Sequence, residues 1–507
     1  MRRFQRLWAA AVRHLGGNAD NAGNADNAGN AGNADNAGNA DMVGNAGMVD
    51  KSGMAGTGWT LRGRALCGVM AAVAMVAGCG NQQANTPLKT EITLMRFFGS
   101  CEAKFGAVND ASQGVGECGI VTALVNEFNA TNTDHIVVRT QVAEWAPYYD
   151  QLTARLVAKD IPTVAVMHES ALGDYVRRRL VLPLDQDLAR LGVPVDDFTA
   201  HARKGVTFDG QIYALPFDTW AWLWHINTTL MAQAGLMGTD GKPRLPHSPQ
   251  ELLAMARQFK ARTGKPFFAW AVAKETAATH RTFQTLLAQQ EAHLFSADGR
   301  SINMHQPEVV NALSLMQQLY AEGLVKPNLD YGGANQAFLN GEAGVVVVGT
   351  WTIDQFMREA ARPASPLKGG YTVVPFPQLY ARPATFADGH SWALFKGGAA
   401  TPEQQEAAVK LLQFIWKRGA EWSRTGHLPV SRTVAASDSF RRLPFRQGLE
   451  EITRTGTALP GNVPTQRAVE LLIGEDVANL LISNKPVGEV QADVEKQVNK
   501  ALRKVRR

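Results

Sequence analysis

Gly210–Asn227, GQIYALPFDTWAWLWHIN, is the stretch whose reading decides the rest of the chain. Pro216 opens it, Asp218 follows, and Trp220, Trp222 and Trp224 stand at alternate positions. Alternate residues of an extended segment face the same way, so three indoles would share one surface beside a carboxylate. Flat apolar faces stack on the C–H side of a pyranose, and a carboxylate accepts from its hydroxyls. The same pattern also describes a buried strand whose tryptophans are core, since large aromatics are usually well covered. The remainder of the chain has to separate these readings.

At 507 residues, with 45% hydrophobic and 19% charged, the chain is long enough for two domains of ordinary globular composition. Its formal net charge is only +5, part of it in the terminal run Lys500, Arg503, Lys504, Arg506 and Arg507. No basic patch interleaves with aromatics, so nucleic-acid binding is not indicated.

The first part of the chain differs in kind. Residues 18–41 repeat NAD and NAG triplets with no apolar face. Such a segment cannot bury enough surface to offset its ordering entropy, and residues 1–53 are predicted to be a disordered, dispensable extension or a consequence of start-site choice, with Met54 as the alternative start. Residues 54–78 then read as a signal: Arg62 and Arg64, followed by the apolar run ALCGVMAAVAMVAGC ending at Cys79. That run is too short for a comfortable membrane span. Val76-Ala77-Gly78-Cys79 resembles the bacterial lipobox, which implies lipidation of Cys79 and a polar tether over 79–88. The export reading removes Cys67 with the signal and modifies Cys79, leaving Cys101 and Cys118. In an exported chain these two are expected to be joined, with a free pair as the alternative. A loop of that size would add roughly 3 kcal/mol of stability. No zinc spacing surrounds them.

Beyond the tether, strands and helices alternate. Residues 91–98 and 135–142 read as strands, 120–129 and 147–158 as helices, and 162–167 as a third strand, implying parallel pairing with helices on the faces. Ser248-Pro-Gln-Glu251 and Thr401-Pro-Glu-Gln404 are capping boxes with proline at the first helical position. A helix over 307–320 is stopped by Gly323, and the four valines Val345–Val348 form a buried strand.

These segments, in this order, resemble the extracellular solute-binding proteins of carbohydrate ABC transporters, the maltose-type class. The resemblance is carried by LVNEFNATNTDHIVVRT (124–140), YYDQLTARLVAKDIPTVAVM (148–167), GQIYALPFDTWAWLWHINTTLMAQAGL (210–236), AFLNGEAGVVVVGTW (337–351) and GHLPVSRT (426–433). Departures are local: Thr163 stands where Asp is usual, His225-Ile226-Asn227 replaces an aromatic before Asn, and Val345-Val346 stand for Ala-Met.

The resemblance implies an α/β, two-lobed periplasmic-binding-protein fold with a ligand cleft between lobes joined by crossing hinge strands. Lobe one would hold 88–214 and 375–417, and lobe two 219–370 and 420–507. By the same resemblance Asp218 is a hydroxyl acceptor, and Trp220, Trp351 and Trp392 are stacking platforms. Trp270, Glu102, Glu169 and Arg432 are further ligand-binding candidates. His225, His390 and Asn227 read as structural.

The function implied is capture of a di- or oligosaccharide and delivery to ABC permease subunits. The protein would be a monomer, held to the periplasmic or outer face of a bacterial membrane by lipid alone. No enzyme activity, cofactor or metal is implied: there is no G-x-S-x-G elbow, H-E-x-x-H or P-loop. A carbohydrate-active enzyme using two carboxylates, and a receptor for a non-sugar solute, are the alternatives.

Overall fold

The computed structural model describes residues 89–505 except 275 and 447. The triplet repeat, the signal, Cys79 and its tether lie outside the described residues. A ten-stranded mixed sheet runs through the molecule. Its strands are β1 (Thr90–Arg96), β2 (Ile136–Val142), β3 (Val164–His168), β4 (Leu215–Asn227), β5 (Phe268–Ala271), β6 (Val325–Leu329), β7 (Val345–Gly349), β8 (Tyr371–Pro375), β9 (Thr385–Leu394) and β10 (Gly456–Thr457). The order is β2-β1-β3-β9-β4-β7-β5-β6, with β8 on β4 and β10 on β9.

At one end β1 pairs in parallel with β2 and β3, as the alternation of strand and helix requires. At the other, β5 pairs in parallel with β6 and β7. The strands between are antiparallel: β9 to β3 and β4, and β4 to β7 and β8. Between the ends only the short β10 pairs in parallel, on β9.

Two large cores sit on this sheet, with a smaller third cluster around Ala221, Leu223, Ile353, Leu428 and Ile452. The first gathers Ile92, Leu94, Leu124, Leu152, Val166, Leu215, Phe217, Trp392, Leu412 and Trp422. The second gathers Trp220, Trp224, Phe259, Phe268, Leu313, Phe338, Val347, Phe386, Ile473 and Val494. β4 passes from one to the other between Phe217 and Trp220, and β9 returns between Phe386 and Trp392. Phe376, Leu379 and Phe386, assigned by sequence to the first lobe, pack in the second core instead. The chain follows β8 back along β4 before it crosses, which delays the return.

Local sequence explains the helix limits. Ser248 Oγ accepts from the Glu251 N–H at 3.1 Å while Glu251 accepts from the His247 N–H at 2.9 Å, opening the helix Pro249–Thr263. Thr401 and Gln404 repeat the arrangement ahead of Pro402–Lys417, with Gln404 accepting from the Ala400 N–H. Asn227 accepts from the Leu230 N–H at 3.0 Å and caps the helix after β4. Cys101 and Cys118 are joined, tying the loop after β1 to the helix Gly116–Thr131. Among the described residues no helix is long and apolar enough to cross a membrane.

Candidate ligand cleft

All thirteen residues of β4 are buried, so its side chains divide between structure and site according to what surrounds each one. The register sets His168, His390 and Asp218 in one row across β3, β9 and β4, and places Asp388 opposite Trp220. A third segment joins the crossing: Thr219 and Leu428 exchange two backbone hydrogen bonds of 2.9 Å each. Just before it, Gly426 adopts φ +125°, and a Cβ there would lie 2.0 Å from the Thr350 carbonyl oxygen. Only glycine fits that approach.

Asp218 is the centre of this crossing. Its Oδ1 accepts from the His390 N–H at 3.2 Å, and its Oδ2 from His390 Nδ1 at 2.9 Å and Trp422 Nε1 at 2.7 Å. His427 Nδ1 lies 3.9 Å from Oδ1, and His427 Nε2 is 2.8 Å from Glu117 Oε1. Burial alone would push the Asp218 carboxyl up, but His390, His427 and these hydrogen bonds outweigh it and hold it at about 2. For His427, burial is likewise overcome by Asp218 and Glu117, so its pKa is raised. The ligating atoms of Asp218, His390 and His427 lie within 4.8 Å of one another, a spacing open to a metal ion. Each already has a partner in the chain, with Thr350 Oγ1 at 3.2 Å from His427 Nδ1.

One strand position further, the surroundings change. A small cavity opens between the lobes. Tyr149, His168 and Ser170 line it from the first lobe, Trp220, Phe386 and Asp388 from the crossing strands, and Arg281, Arg467 and Glu470 from two helices of the second. Those helices are Thr276–Ala288 and Gln466–Ile482. The Arg281 guanidinium lies 4.5 Å from the Trp220 ring centre, 5.5 Å from Trp222 and 5.8 Å from Trp351. Both Arg281 and Arg467 reach Trp145, at 5.9 and 4.9 Å. The ring quadrupoles favour such placements.

Asp388 accepts from the Ser170 N–H at 3.1 Å, the Ser170 hydroxyl at 2.6 Å and the Gly389 N–H at 2.8 Å. Burial, only partly offset by Arg467, pushes Glu470 up to about 7. Burial with Asp388 and Asp218 nearby raises Glu169 well above the carboxylate range, and burial drives His168 well below the usual imidazole range. Trp220 Nε1, Glu470 Oε1 and Glu169 Oε1 have no hydrogen-bond partner among the described residues. A second small cavity, near Pro216, Trp416 and Pro429, is walled by apolar groups apart from Ser431 and the Trp416 indole. It offers little to orient a polar ligand.

Of the residues nominated by sequence, Trp220 walls the cavity. Trp351 stands against it with ring centres 5.4 Å apart, its indole N–H donating to Tyr331 at 2.7 Å. Glu169 is buried one residue before Ser170, against Gly389. Asp218 lies behind the cavity with both oxygens engaged by the protein.

Four others lie elsewhere. Trp392 is enclosed in the first core against Phe217 at 5.3 Å. Trp270 is enclosed in the second against Phe268 at 5.0 Å. Glu102 is half exposed and bonds Ser100 and Arg96 beside the disulfide. Arg432 is exposed and donates to the Asp196 carbonyl. The face shared by the three tryptophans of β4 runs from the cavity at Trp220 into the core at Trp224, whose ring meets Phe267, Phe268 and Phe376. Trp224 is therefore core, while Trp220 is the member of the row that borders the cavity.

Sequence reasoning missed Tyr149, His168, Arg281, Asp388, Arg467 and Glu470. For Arg281 a signal exists: in TAATHRTFQTLLA it is the one Lys, Arg, Asp or Glu on a helix whose other residues are small, apolar or neutral at pH 7. A cation there has to meet a specific environment.

Two α/β lobes, strands shared between them and a cavity lined from both sides define a two-lobed binding protein. A family model for bacterial extracellular solute-binding proteins matches residues 119–420, and the chain belongs to that family. Solved structures share the fold. Maltose-bound MalE3 of T. maritima aligns with a TM-score of 0.67 and 20% identity, over 81% of this chain and 100% of that one. A chitin oligosaccharide binding protein aligns at 0.67 with 17% identity, over 82% and 99%. The sugar-binding protein MalE from the phytopathogen Xanthomonas citri gives 0.66 and 17%, over 82% and 98%. No curated protein matches the chain.

Proposed function

We propose that this protein is the ligand-capturing component of a carbohydrate ABC importer, holding a sugar in the cleft and presenting it to membrane permease subunits. The observation that carries this reading is the Trp220 ring in a cavity that receives polar side chains from both lobes. A flat apolar face beside fixed hydrogen-bonding groups is what a pyranose requires. The sugar-binding proteins that share the fold, among them those bound to maltose and named for chitin oligosaccharides, support it.

In this reading the lobes change over within β4 and β9, and closure about those strands encloses the ligand. The lipobox-like Val76–Cys79 supports export and lipid anchoring, with the binding domain working as a monomer at the membrane face. Mass-spectrometric detection of a diacylglyceryl group on Cys79 would establish the anchor.

The functional test is a thermal-shift screen of the full-length chain against mono-, di- and oligosaccharides, with polyamines and amino acids as controls. A ligand at a hundred times its dissociation constant adds about 2.7 kcal/mol, a readily measured shift. Stoichiometric binding of a sugar without turnover is expected. Turnover of a glycoside would replace the receptor by an enzyme, and a response confined to polyamines or amino acids would remove the sugar.

A further inference from the structure

We propose that Glu470 grips the sugar from the second-lobe side of the cleft, its Oε1 accepting from a ring hydroxyl, and that capture is thereby coupled to release of a proton. The proposal rests on the sugar-binding reading above and deepens it, assigning a binding residue and a regulation to the same site.

Glu470 is fixed in place by the way two helices meet. Gly474 stands one turn further along Gln466–Ile482, on the same face. A Cβ there would come 2.0 Å from the Thr276 carbonyl oxygen, so the helix Thr276–Ala288 passes in close contact. Thr279 Oγ1 donates to the Gly474 carbonyl at 2.8 Å and closes that contact. Glu470 is 8% exposed and lines the cavity, and its Oε1 has no hydrogen-bond partner among the described residues. Arg467 Nη1 approaches Oε2 only to 4.0 Å, beyond hydrogen-bond reach.

A buried carboxyl oxygen without a donor is costly unless something else supplies one. The other acids nearby are served by the chain or shut away. Asp388 receives three hydrogen bonds from Ser170 and Gly389. Glu169, whose Oε1 is also unpartnered among the described residues, is enclosed by the backbone at Gly205 and Gly389 and does not wall the cavity. Glu470 is thus the acid with an oxygen to spare at the cavity, and Trp220 Nε1, on the same cavity, is a donor with no partner among the described residues. A sugar hydroxyl both donates and accepts, so one ring can answer both groups: one hydroxyl donates to Glu470 and another accepts from Trp220.

Proton coupling follows from the surroundings. The titratable and charged groups brought to Glu470 are Arg467 of its own helix, Arg281 and His280 of Thr276–Ala288, Asp388 of β9, and Tyr149 and His168 of the first lobe. Beyond them Asp174 is engaged by Arg177 and by the Thr465 N–H. Of the other helices packed on Gln466–Ile482, Pro307–Ala321 carries one acid, Glu308, in its first turn, and Val487–Lys504 meets Asp476 through Gln497. Burial, with Asp388 nearby, outweighs Arg467 and Arg281 and holds Glu470 at about 7. A hydroxyl donating to the carboxylate favours its charged form and draws the pKa down. Binding therefore releases a proton, and affinity rises with pH through about 7.

The test is isothermal titration of the full-length chain with glucose, galactose, maltose and diacetylchitobiose, at about pH 6, 7 and 8, using two buffers of different ionisation enthalpy at the middle value. A probe that binds is expected to do so about tenfold more tightly at the highest pH than at the lowest, and to release about half a proton at the middle one. Glu470→Gln should weaken binding and flatten the pH dependence, and Glu470→Asp should restore a slope. Where these variants do not fold, the wild-type profile decides, through its slope and the dependence of its heat on the buffer. Equal affinity at all three pH values, or a heat independent of the buffer, overturns the proposal and leaves the receptor reading intact. A slope that persists unchanged in Glu470→Gln overturns it as well, because the proton would then come from another group. Silence of every probe at every pH removes both readings.

Discussion

On one side of Thr219 stands Asp218, a buried charge with donors on both oxygens. On the other stands Trp220, buried as deeply, with its one polar atom unpartnered among the described residues. The two lie on the same strand and the same alternation, yet their surroundings assign them opposite tasks. A buried charge whose hydrogen bonds come from the protein itself holds three chain segments together. A buried donor left open beside a cavity is available to a ligand. Asp218, the residue whose type and position best suggest a sugar acceptor, has been taken by the fold. The groups facing the cavity are ones the sequence scatters over 300 positions.

Removing the centre of the first region should have the largest effect. Asp218→Ala strands His390 Nδ1, Trp422 Nε1 and a raised-pKa His427 in a dry interior. The expected loss is about 4 kcal/mol of unfolding free energy, read by urea denaturation. A loss under about 1 kcal/mol would mean that the network does not hold the crossing.

The second effect is a difference in pH response. Asp218 has a folded pKa below its unfolded value, so its stabilisation is present above about 4 and is lost as pH falls toward about 2. Glu470 has the reverse sign. Raised from 4.5 to about 7, it favours the folded state below 4.5, and that contribution is lost as pH rises through 7. The full span is on the order of 3 kcal/mol. Melting temperatures across this range should therefore decline toward alkaline pH, and Glu470→Gln should flatten the decline. An unchanged profile in that variant would place the titration elsewhere, with His427 the first group to examine, since its pKa is raised too.

A smaller effect sharpens the aromatic side. Trp351→Ala should weaken ligand binding by roughly tenfold, about 1.4 kcal/mol, with little change in unfolding, because that ring is only partly buried. Smallest of all, Arg432→Ala should leave ligand affinity unaltered and shift stability by no more than about 0.5 kcal/mol, as expected for an exposed contact. A measurable loss of affinity there would extend the site beyond the cavity.

Much of the fold was readable because local rules and tertiary demands agree. β-Branched runs such as Val345–Val348 can only be a buried strand, and Ser248 and Thr401 mark helix starts that the structure places within a residue. The site was readable only in part. Trp220 and Trp351 follow from a strand pattern and a family segment. Trp270 and Trp392 carry the same side chain in similar strand settings, but enclosure depends on which helices cover them, and that is decided by contacts far apart in the chain. Arg467 and Glu470 lie near the start of their helix, and no local pattern reveals that they meet Asp388 and Arg281 at one cavity. Residue type showed what chemistry was available. Only the register of β9 between β3 and β4 showed where it was assembled.

The passage of the chain between its two cores carries a further consequence. Residues 92–217 serve the first, 220–386 mainly the second, 392–422 the first again and 459–502 the second again, with Leu428–Ile452 in the smaller third cluster. No single cut of the gene yields either half intact, and each half is completed only after most of the other has been synthesised. The three connections should therefore make denaturation one cooperative event, and a newly made chain would hold its apolar surfaces partly uncovered until its last fifty residues are available.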